Sequence, residues 1–398
     1  MKYAPTELIR NKRKQKMLTN DFYAKYNAAA EAEMERSDRF SKKVMLAKAK
    51  EARLEGEMLS DFSAFLQYAE ETPSVKAYLY LRYYVAYQSG EKFTGATYEK
   101  LPTLSIAEEK FPGFCEVAIG IAAVDVFREY LRDKKIAEYI DDQSYYNKIV
   151  SFMKQNKIAH NTYGLKEYGG TRHNYAIGLI LRIGRLVYEK KSFYDIIEVY
   201  KKGNTFIRVA LPGYKYTEEG YIGENGAGEA PLYEVKDNVL YCRIYGDDGR
   251  LCPDVFRLPL SEYDLFLKHG DPVFGIHIPA EGKLSEDAVD ESLALAKKIS
   301  AIEEALPRKF MCTSWLLDPQ LRLILPPESN IIKFQKRFRP ISTWINGFSL
   351  YKHIFEVAPC PIEALVPKNS FQKAILDSLK SGRPMRHGHG FLDIKGEK

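Results

Sequence analysis

The chain has 398 residues, of which 45% are apolar and 28% are charged, a composition typical of a globular protein and unlike that of a disordered chain. At about 150 residues per domain, this length predicts two or three folding units. The longest nearly apolar run, Val117 to Val124, is far shorter than the roughly 20 residues of a transmembrane helix. The N-terminus has no apolar core typical of a secretory signal, so we expect no contact with a membrane.

Lysine and arginine exceed aspartate and glutamate by 6 charges, and nearly all of this excess lies in residues 1–16. A nucleic-acid binder usually spreads its basic residues over a folded face, so this cluster favours a solvated arm over a nucleic-acid site. The five cysteines are widely separated and include no C-x-x-C pair, which argues against a disulfide framework or structural zinc. Reduced thiols predict a cytoplasmic location.

The first third of the chain predicts helices. Residues 21–70 are rich in Ala, Glu, Lys, Met and Leu and contain no proline, although Gly56 predicts a break or bend. Pro73 stands where a helix begins, and Gly90 stands where it would end. A further helix over residues 116–134 is apolar enough to be buried.

The sequence changes character after Tyr145, where we place a soft boundary between a helical domain, residues 1–145, and a second domain, residues 146–398. One more helix, residues 146–160, precedes runs rich in β-branched and aromatic residues. These runs predict strands over residues 186–188, 206–211, 239–245, 255–258 and 273–278. Ser285 then caps a helix that runs to about Ala305. Strands mixed with helices over residues 160–398 predict an α/β or α+β domain.

A histidine stands on the apolar strand 273–278, where His277 lies between Ile276 and Ile278. It is either a hydrogen-bonded core residue or a general base, because the reference pKa of imidazole is near 6.5. Cys312 and Ser314 alternate on the next predicted strand and so share a face. Either could be a nucleophile if His277 lay within hydrogen-bond reach, and a buried core cysteine is the simpler alternative.

Ser329 or Asn330 caps a helix that runs to Phe338, and Lys333 lies one turn inside it. A helix N-terminus presents unpaired backbone N–H groups and a positive dipole end, which together can hold a phosphate. Plain capping, with no ligand, is the alternative.

Two further patterns are less specific. The segment Gly223 to Gly228 is rich in glycine but matches neither the dinucleotide pattern nor a P-loop, and it predicts a surface turn. His387 and His389 alternate and could share one face of a strand. No Asp, Glu or Cys stands at matching spacing nearby, so we expect no metal site.

Five segments resemble, in order and spacing, a family of bacterial two-part acyltransferases that join a helical N-terminal acyltransferase domain to a GNAT-like C-terminal domain. They are IGRLVYE, GDPVFGIHIPAEGKLS, CTSWLLDP, ESNIIKFQKRF and VPKNSFQKAILDSLKSG. The resemblance covers roughly residues 145–395 and is thinner over the helical third.

The resemblance implies an α+β fold, with a helical N-terminal region followed by a GNAT-like mixed α/β domain. It also implies an N-acyltransferase that moves an acyl group from acetyl-CoA or another acyl-CoA to an amine of a small molecule or peptide, with no permanently bound cofactor. In ordinary GNAT enzymes a Q/R-x-x-G-x-G/A loop wraps the pyrophosphate of CoA. Here the segment Gly223 to Gly228 has the G-x-G but no Gln or Arg before it.

In this interpretation His277 is the base, Cys312 or Ser314 lines the acyl site, and the helix headed by Ser329 faces the CoA phosphates. The candidate residues are, for catalysis, His277, Cys312 and Ser314 and, for CoA, Ser329, Asn330 and Lys333. The alternative is a non-catalytic ligand-binding or regulatory module of GNAT shape, which the missing loop signature favours. The tyrosine-rich helical third could form a homodimer interface or a lid.

Overall fold

The structure is a computed structural model, and it describes residues 23–165, 168–195, 197–222, 231–303, 306–345 and 350–392. The chain forms two compact units, which divide after Arg182. This division is later in the chain than the change of character after Tyr145. Arg172, beyond that point, still belongs to the first unit, where it donates a hydrogen bond of 2.8 Å to Glu116. Two predicted features, the basic residues 1–16 and the glycine-rich residues 223–228, lie outside the described residues.

The first unit is built from helices. Those that the structure describes are α1 (Asn27–Arg36), α2 (Lys42–Glu51), α3 (Gly56–Glu71), α4 (Pro73–Tyr87), α5 (Gly95–Tyr98), α6 (Ser105–Lys110), α7 (Phe114–Ala122), α8 (Val124–Asp133), α9 (Gln143–His160) and α10 (Gly169–Ala176). The predicted break at Gly56 is confirmed, since this residue has φ +54° and begins α3. The predicted helix over residues 116–134 is two helices, α7 and α8, which meet at Ala123.

A network of charged side chains lies in the core of this helical unit. The Arg82 Nε atom donates to Glu116 Oε1 at 2.6 Å, and Arg172 Nη2 donates to Glu116 Oε2 at 2.8 Å. The Tyr98 hydroxyl also donates to Glu116 Oε2, at 2.9 Å. Burial alone would raise the pKa of Glu116, but the charges of the two arginines outweigh burial and lower it. His173 stacks on Tyr98 beside the network, with ring centroids 4.6 Å apart.

The second unit is built on a six-stranded sheet with the order β1-β2-β9-β10-β12-β11, and its first strand carries the chain across the division. Its strands are β1 (Ile180–Ile183), β2 (Leu186–Ser192), β9 (Pro272–His277), β10 (Lys309–Ser314), β11 (Phe338–Ile345) and β12 (Arg386–Leu392). Strands β9 and β10 are parallel, whereas β2 with β9, β10 with β12 and β11 with β12 are antiparallel.

Two smaller sheets and further helices complete this unit. The order of the second sheet is β4-β3-β8 and that of the third is β5-β6-β7. Their strands are β3 (Ile197–Lys202), β4 (Thr205–Ala210), β5 (Tyr233–Lys236), β6 (Val239–Cys242), β7 (Phe256–Pro259) and β8 (Asp264–Leu267). The helices are α11 (Glu286–Ile302), α12 (Leu321–Ile324), α13 (Asn330–Gln335) and α14 (Ser370–Lys380). Helices followed by this mixed domain confirm the predicted α+β class.

The six-stranded sheet has two different faces, because successive side chains of a strand point to opposite sides. The first, here called the helix face, carries Tyr188, Phe274, Ile276, Phe310 and Cys312. It packs against α11, where the Ser292 Oγ atom lies 3.0 Å from the Tyr188 hydroxyl oxygen.

The second face, here called the polar face, carries the alternate residues of the same strands. Those that matter below are Glu189, Lys191, Gly275, His277, Thr313 and His389. Part of this face packs apolar side chains such as Val273 and Met311 against the second sheet, through Ile197 and Val199. Because β9 is covered on both faces of the sheet, apolar residues point to both sides, and its sequence is an almost continuous apolar run. No helix among the described residues is long and apolar enough to cross a membrane.

Candidate functional site

His277 is the last residue of β9 and is exposed, with 53% of its side chain accessible to solvent. The prediction that it lies mid-strand in a buried segment is therefore wrong. The strand stops one residue earlier than predicted, and the apolar neighbour Ile276 points to the helix face. His277 Nε2 lies 3.0 Å from Glu189 Oε2, on the adjacent strand β2. This hydrogen bond lowers the pKa of Glu189, with help from the charges of His277 and Lys191 and against the effect of burial.

The structure does not bring His277 together with Cys312. In the parallel register of β9 and β10, Cys312 pairs with Ile276, so its thiol lies on the helix face while the imidazole lies on the polar face. Burial raises the pKa of Cys312 to about 12, which keeps the thiol neutral at ordinary pH. Ser314 is on the helix face as well, and its Oγ accepts a hydrogen bond of 3.1 Å from the Leu316 backbone N–H. Neither residue therefore shares a face with His277, the base that the sequence analysis paired with it.

The predicted phosphate helix, α13, is six residues long. Ser329 caps it in the ordinary way, because its side chain accepts a hydrogen bond of 3.3 Å from the Ile332 backbone N–H. Asn330 is the first residue of the helix. The Lys333 ammonium donates to Glu286 Oε2 at 2.8 Å, which places it beside the first turn of α11. Lys333 thus lies beside the N-terminus of α11, whereas the sequence predicted a role for it at the N-terminus of α13.

The N-terminus of α11 follows a loop that is held by side-chain hydrogen bonds. Residues 278–285 connect the carboxyl end of β9 to α11, a helix of 17 residues. The Arg185 guanidinium donates to three carbonyl oxygens of this loop, those of Pro279 at 2.9 Å, Gly282 at 3.0 Å and Lys283 at 2.9 Å. The loop is therefore fixed at the carboxyl edge of the parallel strands, the edge where open α/β sheets bind ligands.

An acid–base pair of the buried His389 and the partly buried Asp195 lies further along the polar face. His389 Nδ1 contacts Asp195 Oδ2, and the Tyr214 hydroxyl donates to Asp195 Oδ1 at 3.1 Å. Burial alone would raise the pKa of Asp195, but the charge and hydrogen bond of His389, together with Tyr214 and Lys191, lower it. The alternation of His387 and His389 on one strand is confirmed. Among the described residues, no group of three His, Cys, Asp or Glu could hold a metal ion.

Lys191 lies between these two pairs. A Cβ atom built on Gly275 would come within 2.6 Å of Lys191 Cε and 3.0 Å of Lys191 Nζ, so the lysine side chain crosses β9 at the glycine. Its charge acts on both carboxyl groups, since it lowers the pKa of Glu189 and that of Asp195. Five titratable side chains from three strands and one connecting segment therefore alternate in charge type across the polar face. We call this set the polar chain: His277, Glu189, Lys191, Asp195 and His389.

Sequence reasoning singled out the two histidines at the ends of the polar chain, His277 as a base and His389 only as a possible metal ligand. It missed Glu189, Lys191 and Asp195. The period-2 spacing of Glu189 and Lys191 on a strand was a usable signal that they share a face. Nothing in the sequence pairs Asp195 with His389, because only the sheet order brings β2 and β12 into one layer.

Comparison with known proteins agrees with this architecture. The sequence model of the GNAT-like C-terminal domain family matches residues 180–392, more than half of the chain. No sequence among the curated proteins matches.

A solved acyltransferase in complex with decanoyl-CoA is 17% identical, with a TM-score of 0.53 over 86% of this chain and 85% of that chain. An acyltransferase mutant in complex with octanoyl-CoA is 16% identical, with a TM-score of 0.54 over the same shares, 86% and 85%. A third structure, in complex with decanoyl-CoA and teicoplanin, is 17% identical, with a TM-score of 0.50 over 81% and 79%. At these identities the likeness shows a shared fold.

Proposed function

The chain belongs to the GNAT-like C-terminal domain family, and from that premise we propose that it is an acyltransferase that moves an acyl group from a CoA thioester to an amine. The observation that carries the proposal is the carboxyl edge of the parallel strands β9 and β10. There a solvent-exposed imidazole, His277, is held by a carboxylate and is followed directly by a fixed loop and a long helix N-terminus. A proton acceptor beside an anion-binding element is what acyl transfer from CoA requires.

The donor would bind with its phosphates at the loop 278–285 and the start of α11. Backbone N–H groups at a helix start favour anions, whereas the acidic side chains of Glu286 and Asp287 in the first turn oppose them. Lys333 and Arg337 both pair with Glu286, at 2.8 Å and 3.8 Å, and so offset its negative charge with two positive charges. We propose that Lys333, beside this helix start, exchanges its contact with Glu286 for a CoA phosphate, and that Ser329 and Asn330 contribute by building α13.

The acyl group would pass directly to the acceptor. The amine nitrogen attacks the thioester carbonyl carbon, the C–S bond breaks, and CoA leaves as a thiolate that takes up a proton. His277 accepts the proton that the attacking amine loses, and Glu189 orients the ring through Nε2. A covalent intermediate on Cys312 is not part of this scheme, because the thiol is buried, neutral and on the other face.

We propose the classes of donor and acceptor from the ligands of the similar structures. Their ligands, octanoyl-CoA, decanoyl-CoA and teicoplanin, suggest medium-chain donors and an amine acceptor that is a small molecule or a peptide. We propose that the helical region and the GNAT-like domain act as the two parts of one acyltransferase. The five cysteines form no disulfide, which supports a cytoplasmic location.

Donor binding is tested by thermal stability with acetyl-CoA, octanoyl-CoA and decanoyl-CoA, with free decanoic acid as the control. A ligand at one hundred times its dissociation constant should add about 2.7 kcal/mol of stability. No stabilisation by any CoA thioester contradicts the proposal. Stabilisation without CoA release in the presence of amines supports the alternative, a non-catalytic ligand-binding module.

The base is tested by His277→Gln. We expect CoA release to fall by about 10²–10⁴-fold, because glutamine cannot accept the proton. The free energy of unfolding should change little, since the imidazole is exposed and makes one hydrogen bond to a side chain. His269→Gln is the matched control, an exposed histidine in the same unit that contacts the Tyr194 carbonyl oxygen at 3.2 Å. Full turnover in His277→Gln removes the catalytic role.

A further inference from the structure

The helical unit contains a cavity of about 390 Å³, which lies between α1, α4 and residues 102–104 of the segment that connects α5 to α6. This volume is within the range of about 300–1,000 Å³ that is typical of small-molecule sites. Voids in a protein core are rarely larger than one water molecule, which takes up roughly 30 Å³ in the liquid. The cavity therefore has the size of a binding site and not that of a packing defect.

Small side chains on both helices open this space. Ala30 of α1 and Ala77 of α4 line the cavity, at positions where leucine or phenylalanine would reach further across it. The apolar side chains of Met34, Leu81 and Leu104 line it as well. An apolar ligand that enters removes apolar surface from water on both walls, which is favourable.

The polar atoms at one side of the cavity are paired within the protein. The hydroxyl groups of Tyr23 and Tyr78, two buried residues that line the cavity, both donate to the Pro102 carbonyl oxygen, at 3.2 Å and 3.0 Å. Arg82 Nη1 donates to the same oxygen at 3.0 Å, and Arg82 Nε is held by Glu116 at 2.6 Å. The buried charge network thus fixes this wall, which presents the tyrosine rings and requires no polar partner from a ligand.

The charge of the cavity lies at its solvent-exposed side. Glu31 is exposed and is the only charged residue among the described residues that line the cavity. Asn27, Ser74 and Thr103 are exposed lining residues with polar side chains. An ammonium group has three donors and no acceptor, so it complements a carboxylate in charge and in hydrogen bonding. The same carboxylate repels an anionic head group.

We propose that this cavity binds an apolar amine, whose apolar body lies between α1 and α4 and whose ammonium group contacts Glu31. A methylene group is about the size of a water molecule, so the cavity holds a ligand of about a dozen non-hydrogen atoms. This binding is independent of the proposed transfer reaction, because it requires neither a CoA thioester nor His277.

The test is isothermal titration calorimetry of the full chain with three probes that share one ten-carbon chain: decylamine, decan-1-ol and decanoate. Each probe is used below its micelle concentration. We expect decylamine to bind about fivefold more tightly than decan-1-ol, the upper size for a solvent-exposed ion pair. Decanoate should bind most weakly, since Glu31 repels its carboxylate.

Three variants locate the site. Glu31→Gln should remove the preference for decylamine over decan-1-ol and leave the affinity for decan-1-ol unchanged. Glu35→Gln is the matched control, because it removes the same charge from α1 one turn later, at a residue that does not line the cavity. Ala77→Phe places a ring in the cavity and should abolish the binding of all three probes.

Preference for decylamine that Glu31→Gln removes and Glu35→Gln retains supports the proposal. Equal affinities for the three probes, tighter binding of decanoate, or a preference that Glu31→Gln leaves unchanged overturns it. Binding that persists in a folded Ala77→Phe variant also overturns it, because the probe then binds elsewhere. If Ala77→Phe does not fold, the surface substitution Glu31→Gln decides the matter alone.

Discussion

The two units each hold a cluster of charged side chains, and the clusters differ in how many hydrogen-bonding positions are filled. In the helical unit both oxygens of Glu116 are occupied, by Arg82 on one side and by Arg172 and Tyr98 on the other, and all four side chains are buried. In the GNAT-like unit the polar chain ends at His277, which is half exposed and contacts one carboxylate. Both oxygens of Glu116 are thus engaged by core side chains, whereas an exposed end such as His277 can exchange a proton with solvent. We therefore expect substitutions in the buried cluster to act on folding, and we expect those at the exposed end of the polar chain to act on the proposed chemistry.

The strongest way to break this comparison is Glu116→Gln. Removing the carboxylate leaves Arg82 and Arg172 buried without a counter-charge, and we expect the free energy of unfolding to fall by about 3–5 kcal/mol in urea titrations. Glu91→Gln is the control, since it breaks an exposed pair with Lys25 of 3.0 Å and should lower the free energy of unfolding far less than Glu116→Gln does. A similar small loss in both variants would mean that the network is not structural.

The pH dependence of stability sharpens the same contrast. Burial and the charge of Arg172 lower the pKa of His173 to about 4, from 6.5 in the unfolded chain. Below pH 6.5 the unfolded state binds a proton at His173 that the folded state does not bind. The neutral imidazole therefore makes its full contribution to the free energy of unfolding above pH 6.5, and this contribution is lost as the pH falls towards 4. The loss should reach about 3 kcal/mol. His173→Phe keeps the ring stack on Tyr98 and should remove this part of the slope; an unchanged slope assigns it to other groups.

The smallest expected effect concerns Cys312. Cys312→Ala removes a small buried group and should lower the free energy of unfolding by about 1 kcal/mol, with turnover unchanged. In the native protein at pH 8, iodoacetamide should modify the partly exposed Cys360 and leave Cys312 unmodified, because burial raises the pKa of the Cys312 thiol to about 12. Loss of turnover in Cys312→Ala would contradict this expectation and indicate that the thiol takes part in the reaction.

Local signals in the sequence predicted much of the fold. Pro73 is the first residue of α4, where the sequence predicts that a helix begins. The strand that ends at His277 was predicted because its apolar residues are consecutive. Its burial was predicted wrongly at the last residue, since a run of apolar letters does not show where pairing stops.

The candidate site could be predicted only in part. The face shared by Cys312 and Ser314 follows from period-2 spacing, but their separation from His277 depends on the parallel register of β9 and β10. The cap at Ser329 was predictable, while the contact of Lys333 with Glu286 arises from the packing of α13 near α11. The register between distant strands and the packing of helices against each other cannot be predicted from a single sequence by local patterns.

Strand β12 lies between β10 and β11 in the sheet, although it follows both of them in the chain. During synthesis on the ribosome, these two strands therefore lack their shared neighbour until residues 386–392 have emerged. The same late strand delivers His389 to Asp195, so the polar chain is complete only after almost the whole GNAT-like unit has been made. A nascent chain that stalls before this point exposes unpaired strand edges, which are templates for aggregation. For this unit, completion of the main sheet therefore depends on the arrival of residues 386–392.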